Sequence, residues 1–426
     1  VVNFWCERAW LPDGVADRVL IRVDDGTITS VSTVDTIPLG VRRLHGVVLP
    51  GFANAHSHAF HRALRGRTHD GGGTFWTWRD GMYSLAAKLT PKSYYRLARA
   101  VYAEMAVAGV SCVGEFHYLH DRSNEFGHAL RQAAEDAGIR LTLLDTCYLS
   151  GGIDTPLNEV QERFSDGSAE AWASRVGELK DDAVMRVGAA IHSVRAVPRD
   201  EIAVVARAFP DKPLHVHLSE QPAENEACLL AHGLTPTELL SEEGALSTRT
   251  TAVHATHLTS HDIALLGESG TGACFCPTTE ADLADGIGPA RELANAEVPL
   301  SLGSDQHAVI DPLLEARALE HGERLRTGER GRFSPRELLA ALTNHKALGW
   351  SEAGRIEVGA PADFVAVRMD SPRTAGSLPE QVMLSATASD VDTVVVGGRV
   401  VAAQGVHETL GDTGRLLADA IEELWA

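Results

Sequence analysis

The sequence predicts an α/β protein, a (β/α)8 TIM-like barrel that carries a small β-sandwich built from both ends of the chain. Two observations predict it. Eight short apolar runs alternate with longer stretches of helical period, the pattern of a parallel sheet with crossover helices. In nearly every run a His, Glu, Asp, Tyr or Arg stands at the C-terminal end, where barrels of this kind open their functional mouth. At 426 residues the chain is long enough for one large domain and a smaller one around a sizeable core.

Taken in order, the runs begin with "VVLPGFANAHSH" (47–58), "VSCVGEFHY" (110–118), "RLTLLDTCYL" (140–149) and "VMRVGAAIHSV" (184–194). They continue with "PLHVHLSE" (213–220), "TAVHATHL" (251–258), "GACFCPTTE" (272–280) and "PLSLGSDQH" (299–307). Stretches such as "SYYRLARAVYAEMAVAG", "GHALRQAAEDAG" and "EIAVVARAF" are amphipathic at helical spacing and fill the crossovers. The barrel is therefore expected over residues 47–353. Residues 1–46 and 354–410 are rich in β-branched side chains with Gly and Asp at turns, and together form the expected sandwich. A C-terminal helix is expected over 411–426. The stretch "DGGGT" (70–74) reads as a flexible loop; it lacks the Lys-Ser/Thr pair that a phosphate cradle needs.

Charge narrows the partners. With 38 basic and 58 acidic residues the net charge is −20, and no basic stripe offsets it, which argues against nucleic acid and anionic membranes. An anionic small molecule stays open if cationic side chains line its pocket. No apolar run reaches transmembrane length, and the N-terminus lacks a basic segment followed by an apolar core, so no secretory leader is expected. Six cysteines (6, 112, 147, 228, 274 and 276) lie mostly in apolar stretches with no CxxC, as expected for reduced thiols in a cytoplasmic protein. Cys274 and Cys276 share one strand face and read as small buried hydrophobes.

Histidines carry the chemistry. In "PGFANAHSHAFHRALRG" (50–66), His56 and His58 are two apart at a strand end, so both imidazoles leave on one face and can chelate one ion. "HVHLSE" adds His215, His217 and Glu220, "VHATHL" adds His254 and His257, and "GSDQH" adds Asp305. Imidazoles and a carboxylate converging from separate strands suit a single divalent ion, zinc before iron or manganese, with one position open for water. His215, one layer deeper than His217 on the same face, reads as a satisfied histidine inside the barrel. His257 and His307 read as surface residues or as supports behind the ligands.

The order of HxH (56, 58), HxxE (217, 220), His254 and Asp305 resembles the amidohydrolase superfamily in its mononuclear deaminase branch. Within that branch "HSHAF", "FWTWR", "EFHYLH", "HSVRAV" and "HVHLSEQ" closely resemble the N-formimino-L-glutamate deiminase family, iminohydrolases of histidine degradation, and the resemblance runs through essentially the whole chain. It implies that His56, His58, His217 and Asp305 hold one metal ion per subunit, that Glu220 and His254 are catalytic with Asp305 assisting, and that the protein is a homodimer. One position departs: His61 stands where relatives typically carry Gln, at a place expected to contact substrate.

The chemistry implied is amidine hydrolysis, which requires a strong nucleophile at neutral pH and a proton for departing ammonia. A divalent ion lowers the pKa of bound water from about 15.7 to about 7. Glu220, three residues after a ligand, is expected to take the water's proton and pass it to the leaving nitrogen, while His254 stabilises charge at the tetrahedral carbon. A dicarboxylate substrate calls for bidentate guanidinium groups. Arg79 in "FWTWR" and Arg195 in "HSVRAV" are the candidates, with Tyr118 and His192 as hydrogen-bonding companions. Trp76 and Trp78 read as packed loop anchors. A deaminase of guanine or cytosine is the alternative, and would need an aromatic platform with an amide reading the base edge. A barrel that had lost catalysis should lack ligands, and none is missing here.

Overall fold

A computed structural model describes residues 2–68 and 75–426, with only the backbone at 75 and 76. The "DGGGT" stretch and the Trp76 side chain lie outside the described residues. The chain opens with β1 (Val2–Leu11), β2 (Gly14–Asp24), β3 (Thr27–Thr33) and β4 (Arg42–Pro50). Next come β5 (Phe52–Ser57), β6 (Val110–His117), β7 (Arg140–Cys147), β8 (Met185–Ile191), β9 (Leu214–Leu218), β10 (Thr250–His254), β11 (Gly272–Phe275) and β12 (Leu300–Leu302). It closes with β13 (Phe364–Val367), β14 (Val391–Val396), β15 (Arg399–Ala403) and β16 (Val406–His407).

Strands β5 to β12 form one parallel sheet in sequence order, one strand for each of the eight apolar runs. The sheet curls into a nearly closed barrel. Its seam is a bridge between Ser57 and Asp305, supported by His56 O, which accepts from Ser304 N and Asp305 N at 3.0 Å each, and by His58 N donating to Asp305 O at 3.1 Å. The crossover helices include Pro91–Val107, Glu125–Ala137 and Arg199–Ala208. The first of these starts on a Thr90/Ser93 capping box with Pro91 at its first position, as orphan N–H groups there demand.

The remaining eight strands make a mixed sheet in the order β16-β15-β14-β13-β4-β1-β2-β3, so both chain ends share it. It curls until the turn after β2 meets the segment before β13, where Ile28 N donates to Ala360 O (2.9 Å) and Ala362 N to Gly26 O (2.8 Å). Inside the curl Phe4 and Phe364 meet edge to face at 5.6 Å, among Cys6, Val19, Ile21, Leu44 and Val395. The opposite face, with Val47, Leu49, Val365 and Val367, belongs to the main core with the barrel helices. The helix Thr413–Trp425 packs on Pro91–Val107, and Trp425 Nε1 donates to Ala63 O at 3.0 Å.

The apolar run 47–58 is divided between the two sheets. Residues 47–50 pair with β1 and β13, and the barrel begins at Phe52. Hydrophobicity cannot mark that switch, because Val47, Val48, Leu49 and Phe52 are all fully buried. Gly51 marks it sterically: a Cβ there would stand 2.5 Å from Ser111 Oγ. All six cysteines are buried and unpaired. Among the described residues no helix is long and apolar enough to cross a membrane.

A buried ion network ties β7 to its crossover. Arg175 donates to both Asp145 oxygens (2.9 and 2.8 Å) and to Asp166 (2.9 Å), while Trp172 Nε1 donates to Asp145 Oδ1 at 3.0 Å. Burial alone would raise the Asp145 pKa, but Arg175 outweighs it and holds the carboxyl below its usual range. Arg175→Met strands two buried carboxylates and is expected to cost about 3–5 kcal/mol. The measurement is the urea midpoint, and an unchanged midpoint would refute the assignment.

Candidate metal centre and active site

Strand ends build the centre. His56 is near the end of β5 and His58 just beyond it, His217 is on β9, and Asp305 follows β12; all four are buried. Nε2 of His56 is 3.1 Å from Nε2 of His217 and 3.5 Å from Asp305 Oδ1, which is 3.4 Å from His58 Nε2. Ligands at 2.0–2.1 Å from a tetrahedral ion are about 3.3–3.4 Å apart, so this spacing fits such an ion. The donors are in the right protonation state. His58 Nδ1–H donates to Phe116 O at 2.9 Å, which leaves Nε2 its lone pair. Burial drives His58 down to about 3, and drives His56 and His217 well below the ordinary imidazole range, so all three rings are neutral at neutral pH.

Behind the ligands a directed chain of hydrogen bonds crosses the seam. Asn54 Nδ2 donates to Ser304 Oγ (2.7 Å), Ser304 Oγ meets His307 Nδ1 (2.9 Å), His307 Nε2 meets Ser57 Oγ (3.2 Å), and Ser57 Oγ donates to Glu115 Oε2 (2.8 Å). Glu115 also accepts from Ala59 N at 2.6 Å, and burial pushes its pKa up to about 7. His307 thus stands behind the candidate ligands. His215 bonds Ala347 O (2.9 Å) within the barrel, and His257 Nε2 donates to Asp285 O (2.8 Å). Ser219, His254, Ala255 and Asp305 have positive φ (51°, 69°, 48° and 40°), a strained backbone that costs about 1–3 kcal/mol each and clusters at functional sites.

Glu220 follows β9 and is 6% exposed. Its Oε1 is 3.8 Å from His254 Nε2, which is 3.7 Å from Asp305 Oδ2, and its Oε2 is 4.0 Å from Arg195 Nη2. Burial raises the Glu220 pKa, against the pull of His254 and Arg195. Burial would lower His254, but Glu220, a hydrogen bond to Glu280 and Asp305 together hold it well above the ordinary range. The pair therefore retains a proton at neutral pH.

A pocket enclosing about 680 Å³, its open mouth included, lies over this centre and is lined by His61, Arg79, Tyr118, His192 and Arg195. His61 Nε2 and Tyr118 Oη share a 2.8 Å hydrogen bond. The His192 ring lies between Tyr118 (5.5 Å) and His217 (5.0 Å). Arg79, on the helix Phe75–Lys88, has its guanidinium 5.6 Å from the Tyr83 ring centroid. The buried Trp78 meets His61 edge to face at 5.1 Å. Arg195 is no surface ion pair: its Nε donates at 2.8 Å to Glu224, a fully buried carboxylate that also accepts from Ser219 N at 2.9 Å.

The model of the amidohydrolase family matches residues 47–401 of this chain. The chain belongs to the amidohydrolase family. It is 34% identical over 449 aligned residues to a formimidoylglutamate deiminase of Pseudomonas aeruginosa, covering 99% of each protein. To an 8-oxoguanine deaminase of the same organism it is 32% identical over 391 residues, covering 87% of this chain and 85% of that one. Among solved structures, an amidohydrolase from Brucella melitensis superposes with a TM-score of 0.92 at 32% identity over 100% of both chains. This amidohydrolase is a hydrolase acting on C–N bonds.

Several buried residues of the amidohydrolase site escaped sequence reasoning. Glu224 fixes Arg195, and Glu280 Oε1 is 3.4 Å from His254 Nδ1. Asp285 accepts from Gln221 Nε2, the neighbour of Glu220, and burial together with Glu220 pushes its pKa up to about 9. Gln161 Nε2 donates to both Tyr83 Oη (2.9 Å) and Tyr148 Oη (2.8 Å), bracing the aromatic wall. The one local signal was the Glu220/Glu224 spacing at the start of the helix Pro222–His232.

Proposed function

We propose that the protein hydrolyses N-formimino-L-glutamate to N-formyl-L-glutamate and ammonia, a step of histidine degradation. One observation carries the reading: the pocket over His56, His58, His217 and Asp305 is lined by two guanidinium side chains, Arg79 and Arg195, a match for a dicarboxylate. His56, His58, His217 and Asp305 would hold one divalent ion per subunit, and three imidazoles with a carboxylate favour zinc. When bound, that ion lowers the pKa of water to about 7 and so supplies a nucleophile at neutral pH.

The chain's own residues do the rest. Glu220 accepts the proton as the water oxygen bonds to the formimino carbon and the C=N bond becomes single. It then returns that proton to the nitrogen, and the remaining hydroxyl proton follows through the same carboxylate as the carbonyl forms, so that both water protons reach the nitrogen and the C–N bond breaks to release ammonia. Its raised pKa suits both halves of the exchange. His254 Nε2–H, between Glu220 and Asp305, faces the developing charge. Arg79 and Arg195 take the two carboxylates, with Tyr118, His192 and His61 bonding along the substrate.

The aromatic wall of Tyr83, Tyr118, Tyr148 and Phe164 favours a second reading, deamination of a purine such as 8-oxoguanine. Against it, the nearby Gln161 amide is already engaged, its Nε2 by two tyrosines and its Oε1 by Asn158 N at 2.9 Å, so it does not serve to read a base edge. The test is metal-loaded protein given each substrate in turn, with ammonia and N-formyl-L-glutamate followed. Turnover of the purine alone would overturn the proposal.

Arg195→Met tests the carboxylate contact. It should cost about 2–5 kcal/mol in kcat/KM for formiminoglutamate, and leave almost unchanged the already poor turnover of a formimino compound lacking the matching carboxylate. Arg195→Lys should recover only part of the loss, because a point charge cannot make the two-pronged contact. Removing Arg195 also strands Glu224, so Arg195→Met/Glu224→Gln serves as the control. Equal losses for charged and uncharged substrates in both variants would make Arg195 purely structural.

A further inference from the structure

We propose that Glu280 is a positioning residue that grips His254 through Nδ1 and so fixes which edge of the imidazole faces the reacting atoms. The inference rests on the reading that His254 serves the reaction, and adds a residue whose contribution passes through it. Glu280 is 5% exposed, one turn into the short helix Pro277–Asp282 that follows β11. Its Oε1 accepts from Cys276 N at 2.8 Å, and its own backbone is tied at both ends, N to Cys276 O (2.9 Å) and O to Asp285 N (2.9 Å). The carboxylate is thus clamped before it meets the imidazole, 3.4 Å from Nδ1.

Geometry gives the clamp its use. Two other carboxylates, Glu220 and Asp305, lie on the Nε2 side of the ring at 3.8 and 3.7 Å. Among the described residues Glu280 is the carboxylate paired with Nδ1. Turning the ring over would bring a C–H against Glu280 and take the Nε2–H away from Glu220 and Asp305, so the Glu280 contact selects one of two ring orientations. The backbone of His254 is held, since as the last residue of β10 it pairs with Leu218 at φ 69°, but the ladder does not set which way the ring faces. Outer partners of this kind typically matter by about 10- to 100-fold.

The test is a double-mutant cycle with a spectroscopic arm. Glu280→Gln should lower kcat by about 10- to 100-fold, with KM and metal content held near the parent values. In a His254→Asn background the same change should cost less than about twofold, since a residue acting through His254 has nothing left to position. Equal losses in both backgrounds would overturn the proposal and make Glu280 a packing residue. Independently of turnover, the parent should show a low-field Nδ1 proton resonance that disappears in both His254→Asn and Glu280→Gln. Its persistence in Glu280→Gln would also overturn it. Should the parent deaminate a purine instead of formiminoglutamate, the cycle is read with the purine, so failure of the substrate assignment is distinct from failure of this one.

Discussion

Glu220→Gln is expected to keep its metal and its fold while losing roughly 10²- to 10⁴-fold in kcat. The amide matches the carboxylate in volume, so the packing around a side chain that is 6% exposed is undisturbed. What it cannot do is accept a proton and return it. The effect on stability should be small, because two contributions oppose. Burial raises the Glu220 pKa, so the ionised side chain opposes folding as pH rises above the ordinary carboxyl range, but the same carboxylate holds the buried His254 well above its usual range; replacing it removes both, and the melting temperature should change little. Near-parent turnover in a metal-loaded variant would move the proton shuttle to another residue. A lowered melting temperature alongside lost activity would show that the substitution damages the fold, and would remove the inference about proton transfer.

Chelation is expected to abolish turnover completely and to leave the fold largely intact. The barrel core is formed by apolar residues such as Val113, Leu143, Ile191 and Leu218, which need no ion. The three imidazoles stay neutral at neutral pH once the ion is removed, because burial holds His58 down to about 3 and His56 and His217 well below their usual range. Ammonia release and circular dichroism measured on one chelated sample separate the two outcomes, and adding back zinc should restore the rate. Full activity after chelation, with metal absent by elemental analysis, would exclude metal-dependent hydrolysis. Loss of the native circular dichroism would instead make the ion a structural element of the barrel.

The architecture was legible because parallel strands buried on both faces read as apolar runs, and because a polar residue ends nearly every one. His56, His58, His217, Glu220, His254 and Asp305 all sit at such ends, and the structure brings them to one mouth. The carboxylates that support them were not legible. Glu224, Glu280 and Asp285 occupy helix starts and loops, where an acidic side chain is ordinarily solvated, and the chain has 58 acidic residues to choose among. Only the fold distinguishes a buried one. The division at Gly51 was hidden for the converse reason: the residues on both sides of it are equally apolar, so no change of pattern announces that β4 has ended and β5 begun.

The seam between β5 and the segment after β12 sets the order of events when this protein is made. Its hydrogen bonds join Asn54 to Ser304, partners 250 residues apart in sequence, and three of the four side chains proposed to hold the metal emerge long before Asp305. A nascent chain can therefore pair β5 through β11 as each strand appears, yet it holds an incomplete donor set until the last barrel strand has been synthesised. Contacts this distant in sequence form late and slowly. On the proposed ligand set, then, the donors are complete only when the barrel closes, and a prematurely terminated chain ending before residue 305 carries the histidines without the carboxylate that joins them across the seam.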